Sequence, residues 1–282
     1  MYATLIDSLR EIVSHRELVY QLMMRDVRIR YKQALFGFLW AVFLPVVVIG
    51  AGMVVRFAAA QVAGTTLNEV EIAGMAVKAV GWTFFTGALG TAVIALLANQ
   101  NLITKIAFPR EVLPMAAVLA SVLDAAVGAT AVALLVIILR IPLNIQIAWA
   151  ILLSAHLLMF TLGFSAILAA GNLFFRDVKY IVQVALTFGV FFTPVIYEPV
   201  MLGPLGARLV MLNPVAPVLE GLRLSIIEGH NLATPLLINR AGTEILAWHP
   251  MDLVVSLGLS IASCAGAILL YRRLTYVFAE YV

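Results

Sequence analysis

Charge is what this sequence has least of. Its 18 Lys and Arg and 15 Asp and Glu make up 12% of 282 residues, against about a quarter in a soluble domain. Apolar residues reach 63%, where about half is usual. So few charges cannot clothe a water-facing surface on a chain this long, and the apolar excess must meet lipid. Cysteine is nearly absent: Cys264 stands alone inside an apolar run. That excludes a disulfide within the chain and argues against a thiolate metal site; a free thiol packed in a helix is the ordinary reading. The first 35 residues are polar and charged, with no early apolar core and no small-residue cleavage site. The first apolar run is therefore expected to act as an uncleaved insertion signal.

Catalytic motifs are missing as well. No G-x-x-x-x-G-K-[ST], no H-E-x-x-H and no G-x-S-x-G occurs, so no ATP site of the P-loop kind, no hydrolase site and no metal site is expected. Ionisable groups are scarce within the apolar runs, where an ion-coupled transporter would need them. Asp124 is the clear one and His156 a weaker one. Asp124 has two readings, a transport role or a hydrogen bond to a neighbouring helix, and the second is the commoner. His156, near Ser154, reads as a satisfied packing residue. If this chain drives anything uphill, a partner must supply the energy.

What is present is hydropathy. A crossing helix needs roughly 20 apolar residues, and six runs qualify: 35–55, 81–98, 112–139, 147–171, 181–197 and 253–271. The expected fold is an all-α membrane protein with six transmembrane helices. It divides into an interfacial segment, 1–34, and a transmembrane domain, 35–282, whose longest loop, 198–252, lies outside. With the N-terminus inside, the inner segments carry the N-terminal basic residues, Lys105, Arg110, Arg176, Lys179, Arg272 and Arg273. Both termini are then cytoplasmic by the positive-inside rule, and the basic balance needs no nucleic-acid partner.

Three segments outside the bilayer have readable chemistry. Leu5, Ile6, Leu9, Ile12 and Val13, then Leu18, Val19, Leu22 and Met23, fall at helical spacing among charges, the pattern of an interfacial amphipathic helix. Next, Arg25, Arg28, Arg30 and Lys32 reach headgroup level, with Asp26 spaced to pair with Arg30. Their ordinary role is anchoring on anionic lipid; the sharper one is holding the phosphates of a lipid-linked substrate. After the second span, Asn101 can cap a short helix bearing Leu102, Ile103 and Ile106, stopped by Pro109. An apolar stripe with a basic rim suits docking into a groove on another protein. In the outer loop, Asn213 and Pro214 start a helix that Gly229 stops. It is too short and too charged to span, and is expected to re-enter or lie on the outer leaflet as a gate. Pro194 and Pro199 are expected to bend the fifth span on its way there.

Several segments together resemble one family, the bacterial polysaccharide-export permeases, which are membrane subunits of ABC type-2 transporters for O-antigen, capsule or teichoic acid. They are Arg25-Asp26, Arg30-Tyr31, Phe36-Gly37, Trp40 and Pro45; Lys105 with Phe108-Pro109-Arg110-Glu111 and Pro114; Phe174 to Val178; Pro194 to Tyr197; Asn213-Pro214; and Phe278-Ala279-Glu280. Ala34 and Phe36 depart from the more usual Ser and Leu. The resemblance implies a bacterial inner-membrane permease without an ATP site, working as a homodimer with two copies of a separate ATPase that holds the ATP and magnesium. It implies that Leu102, Ile103, Lys105, Ile106, Phe108, Pro109, Arg110 and Glu111 form the coupling helix seated on that ATPase. It implies a glycan on undecaprenyl diphosphate entering near the first and fifth spans, which favours the phosphate role for Arg25, Arg28, Arg30 and Lys32. Aromatic rings stack on sugar faces, so Phe36, Trp40, Phe43, Phe84, Phe85, Phe188, Phe191 and Phe192 are candidates to line the channel. Trp82 is a further ring of this kind, and both tryptophans also suit an interface belt. An ABC type-2 exporter of a small lipid or drug is the alternative.

Overall fold

The computed structural model describes residues 7, 10–32, 37, 39–63, 68–106, 108–240 and 243–274. Helix α1 (Arg16–Tyr31) precedes α2 (Leu39–Ala63) and α3 (Glu69–Val93). Two short helices follow, α4 (Ala95–Ala98) and α5 (Gln100–Lys105). Then come α6 (Val112–Ile138), α7 (Trp149–Phe174) behind a 3-10 turn at Ile145–Ala148, and α8 (Val178–Phe192). A second 3-10 turn, Pro199–Leu202, leads to α9 (Gly203–Met211) and α10 (Ala216–Ile226). A hairpin of β1 (Leu236–Arg240) and β2 (Thr243–Trp248) precedes the last helix, α11 (Pro250–Leu274).

The protein is an all-α membrane protein apart from that hairpin, which the sequence reading does not anticipate. Helices α2, α3, α6, α7 with its lead-in turn, and α11 are long and apolar enough to cross a membrane; α8 is shorter. The third hydropathic run coincides with α6. The second differs most: α3 starts at Glu69, not Gly81, because Glu69, Glu71 and Lys78 are all absorbed into the helix. The two glutamates sit in its first turn, where the helix dipole favours them, and Asn68 caps it by accepting from Val70 N at 3.3 Å. Lys78 is buried against a partner carboxylate. The fifth run was expected to continue, bent, to Tyr197, yet α8 stops at Phe192. Thr193, which precedes Pro194, is extended at φ −121° and ψ 136°, as the proline ring requires of its predecessor.

Side-chain contacts fix the helix directions. His156 meets Ser260 and Ser256 at 2.9 and 3.2 Å, and Gly163 meets Ser263 and Cys264 seven residues on, so α7 and α11 run parallel. Phe85 stacks on Phe160 with centroids 6.0 Å apart, and Asn172 Nδ2 donates to Val93 O at 3.1 Å; α3 is therefore parallel to both. Helices α2 and α8 oppose α3: Gly52 lies against Met75 and Arg56 against Glu71, while Gly189 lies against Trp82 and Lys179 N is joined through Asn172 to Val93 O. A Cβ on Gly163 would lie 2.5 Å from Cys264 N; only glycine admits so close a helix pair, a packing mode suited to lipid.

Helix α3 is the hub, with Ala73, Ala76, Ala88 and Ala92 fully buried. Outward faces are apolar: Leu134, Ile137 and Ile138 on α6, and Ile151 on α7, are exposed, which water would penalise and lipid does not. Helix α1 lays Val19, Leu22 and Val27 against the bundle. Helix α10 is not laid on a surface; residues 216–225 are all buried, and Gly229, at φ +61°, ends the segment that follows it. The hairpin pairs Ile238 with Ile245 and closes a small separate cluster of Val200, Ala207, Ile245 and Ala247. Trp248 Nε1 donates to Leu232 O at 2.9 Å and anchors it.

Candidate functional site

A groove of ≈ 830 Å³ opens between α2, α3 and α8. Leu44, Val47, Val48, Ala51 and Val55 form one wall; Trp82, Thr83, Thr86, Gly87, Gly90 and Val93 form the floor. The third wall is α8, which turns Lys179, Gln183 and Thr187 into the groove, one above another at i, i+4 and i+8. Among the described residues, the lining contains no carboxylate. The threonine hydroxyls donate within their own helices, Thr86 to Trp82 O at 3.0 Å and Thr187 to Gln183 O at 2.8 Å, which leaves their lone pairs free to accept. A cavity of ≈ 270 Å³ shares Leu44, Thr83 and Gly87 with the groove and extends it towards Arg30, Tyr31, Trp40 and Asp124.

The predicted aromatics divide. Trp40 and Phe43 meet edge to face at 5.3 Å and are exposed on α2. Phe188, Phe191 and Phe192 are exposed on α8, and Phe191 borders the groove. Phe84 and Phe85 are buried: Phe84 lies between the ≈ 270 Å³ cavity and a separate apolar cleft, and Phe85 stacks on Phe160, which stacks on Phe164 at 5.4 Å. Phe36 lies outside the described residues, as do Leu5, Ile6, Leu9 and Phe278 to Glu280.

The basic segment divides too. Arg25 Nη2 pairs with Asp26 at 2.8 Å, so the expected Asp26–Arg30 pair does not form. Arg30 turns instead to Asp124 on α6, with Ser121 at 3.5 Å, and Tyr31 donates to the same carboxylate. Burial, then the bond to Asp124, pushes the Tyr31 hydroxyl up to about 12, so it remains a donor. Asp124 thus ties α1 to α6. Arg28 and Lys32 stay exposed.

In the segment expected to dock on a partner, Asn99 rather than Asn101 precedes the helix, and it spends its amide on Ala95 O at 2.8 Å instead of capping. Ile103 is buried in the core, with Leu102 and Phe108 packed against it. Thr104, Lys105 and Ile106 are exposed and Pro109 is buried. Burial raises the Glu111 carboxyl above its ordinary range. Ile106, 55% exposed, is therefore the apolar group in this segment with most surface free for another protein.

At the other end of the bundle lies a charged cluster built partly on the helix expected to re-enter or lie on the outer leaflet. Lys78 donates to Tyr197 O at 2.7 Å and faces Glu220 Oε2 at 3.4 Å. Arg223 grips Glu220 and Glu228, each at 2.5 Å, with Glu198 at 3.9 Å. Lys78 and Glu220 are each 1% exposed. Gly74 lets the Arg223 stem lie across α3: a Cβ there would meet it at 3.1 Å. Beside it, Arg56 of α2 pairs with Glu71. The spacing of Glu220 and Arg223 is legible in the sequence; their partner 142 residues away is not. Among the described residues, no cluster of His, Cys, Asp and Glu suits a metal ion.

The ABC-2 type transporter model matches residues 17–227. An O-antigen export system permease protein RfbA of Myxococcus xanthus is 28% identical over 256 residues, covering 86% of this chain and 94% of that protein. A protein of the same description from Klebsiella pneumoniae is 24% identical over 257 residues and 91% of each chain. A second from Klebsiella pneumoniae is 23% identical over 206 residues, 73% of this chain and 78% of its own.

Proposed function

The chain belongs to the ABC-2 type transporter family, and from that premise we propose that it is the permease half of an ATP-driven exporter of a lipid-linked, O-antigen-like polysaccharide. It is a multi-pass protein of the bacterial inner membrane and a transport subunit. The ATPase is a separate partner, present in two copies with its ATP and magnesium. The permease itself acts as a pair. The cargo is a glycan on undecaprenyl diphosphate; the relatives' names, O-antigen export system permease proteins, support the polysaccharide part of that reading.

The observation that carries this reading is the groove. It runs beside α8, about 22 Å long at 1.5 Å per residue, and is open on one side. Around it, Phe43, Val46 and Val47 of α2 and Val184, Phe188 and Phe191 of α8 leave apolar surface exposed. A second copy closing on these faces turns two grooves into one enclosed path. The chain crosses six times: α7 and α11 run parallel, so the chain between them must return, and α8 with residues 193–197 is that return. The end bearing α1, Lys105 and Arg110 is cytoplasmic. There Ile106 and its neighbours dock on the ATPase, and Arg28 and Lys32 remain free for headgroup phosphates. At the outer end, α10 and its ion cluster close the path.

Cys264 is the sole cysteine, which makes the test direct. In a Cys264→Ala background, Val47→Cys should form a disulfide between copies in native membranes, and Ile151→Cys, on the lipid-facing side, should not. Cross-linking at Ile151 alone would overturn the pairing. For the cargo, a strain lacking this gene should lose surface polysaccharide and accumulate lipid-linked glycan inside, with restoration by the intact gene. Unchanged surface glycan would point instead to export of a small lipid or drug.

A further inference from the structure

We propose that Lys179 is the group that receives the diphosphate of the lipid carrier at the inner mouth of the groove, and that Gln183 and Thr187 continue from it as a neutral polar file for the sugar chain. This rests on the lipid-linked-glycan reading above and adds a binding residue to it.

Among the described residues, Lys179 is the only charged one in the groove lining. Of the α1 cations, Arg30 is held by Asp124 and Arg25 by Asp26, while Arg28 and Lys32 are exposed but do not line the groove. Lys179 makes no ion pair among the described residues; its ammonium lies 4.7 Å from the centre of the Tyr180 ring. An unneutralised ammonium beside an apolar wall attracts an anion more strongly than one in open water, because the local dielectric is lower. Lysine serves phosphate as a point charge.

Its position is built, not incidental. Asn172 is fully buried and uses both ends of its amide. It donates to Val93 O at 3.1 Å, where α3 ends, and accepts from Lys179 N at 3.1 Å, where α8 begins. That clamp sets the Lys179 backbone against the rim of the floor. Space is left there: a Cβ on Gly87 or Gly90 would meet nothing within 4 Å. One turn and two turns further along α8 stand Gln183 and Thr187, able to donate and accept without charge. A cation at the mouth followed by neutral groups holds the lipid end of a substrate and lets hydroxyl-rich sugar pass.

The test uses the full chain with its ATPase partner in nanodiscs, probed with polyprenyl diphosphate, polyprenol, phosphatidylglycerol and inorganic diphosphate. Binding is read by quenching of tryptophan fluorescence, since Trp82 lines the groove. The wild type should bind polyprenyl diphosphate in preference to the other three. Lys179→Gln should weaken that binding by roughly tenfold or more, the scale of one lost charge-assisted bond. Lys179→Arg should retain it to within about threefold, because charge is what matters. Equal binding by wild type and Lys179→Gln overturns the assignment and leaves the exporter reading standing. Equal binding of phosphatidylglycerol or inorganic diphosphate also overturns it, reducing Lys179 to a general anion anchor. A wild type blind to every polyprenyl probe removes the lipid-linked-glycan reading itself. Lys179 is exposed, so its variants should fold as the wild type does.

Discussion

Replacing Glu220 by Gln tests whether the buried ion cluster holds α10 in place. The substitution preserves shape and removes one charge. Lys78 would keep Tyr197 O at 2.7 Å but lose the Glu220 carboxylate, its ion-pair partner among the described residues. Arg223 would keep Glu228 at 2.5 Å and Glu198 at 3.9 Å. A buried pair broken by removing one partner costs about 3–5 kcal/mol. Lys78→Met should cost less, about 1–3 kcal/mol, because Glu220 still has Arg223 bound twice, at 2.9 and 2.5 Å. Combining the two should recover most of the loss, since the charge stranded by the first is removed by the second. At roughly 2–4 °C per kcal/mol in a chain of this size, Glu220→Gln should lower the unfolding midpoint by about 6–20 °C. The assay is the loss of monodisperse protein after heating in mild detergent, at a fixed heating rate because such unfolding is irreversible. The reasoning fails if Lys78→Met is as costly as Glu220→Gln, or if the double variant is no better than the worse single one.

Other substitutions separate the remaining contacts. Asp124→Asn should loosen α1 from α6, reading out as faster proteolysis within residues 16–31, with an effect of about 1–2 kcal/mol because the pair is partly exposed. Gly163→Val should force α7 and α11 apart and destabilise by about 1–3 kcal/mol or more, visible as a lower midpoint in the same heating assay. Ile106→Asp should leave membrane insertion and stability unchanged and reduce co-purification with the ATPase, whereas Ile103→Asp should destabilise the chain outright, because Ile103 is buried. Tyr31 carries a pH prediction. Its pKa is raised from 10 to about 12, so its contribution to holding α1 is complete below pH 10 and lost as pH rises through about 12. Tyr31→Phe should abolish that late step in a proteolysis-against-pH series.

How much of this was legible in sequence depended on whether partners were local. The third hydropathic run marks α6 almost to the residue because it is uniformly apolar. Gly229 marks its stop through a backbone conformation that only its own residue decides. Lys78 misleads, because one lysine in an apolar run looks like the outside of a membrane until Glu220 is folded against it. Asp124 is open to two roles until Arg30 and Tyr31 arrive from α1. The hairpin hides because Leu236 to Trp248 contains too few alternating residues to stand out from a loop. The groove belongs to no single segment, although its polar file can be read from α8 alone: Lys179, Gln183 and Thr187 stand four apart. Phe84 and Phe85 look the same in sequence as Phe191 and Phe192, and only packing separates core rings from open ones.

The way α8 is fastened has a mechanical consequence. At its start, Asn172 joins it to Val93; midway, Gly189 fits beneath Trp82, where a Cβ would sit 2.9 Å from the ring; past its end, Tyr197 is held by Lys78. All three fastenings are on α3. Floor and one wall of the groove therefore move as a single plate. The opposite wall, α2, meets that plate through apolar contacts and one partly buried ion pair, Arg56 with Glu71, and is the wall with fewest polar fastenings to it. A cargo thicker than a lipid tail would be admitted by the swing of one helix, not by the parting of three.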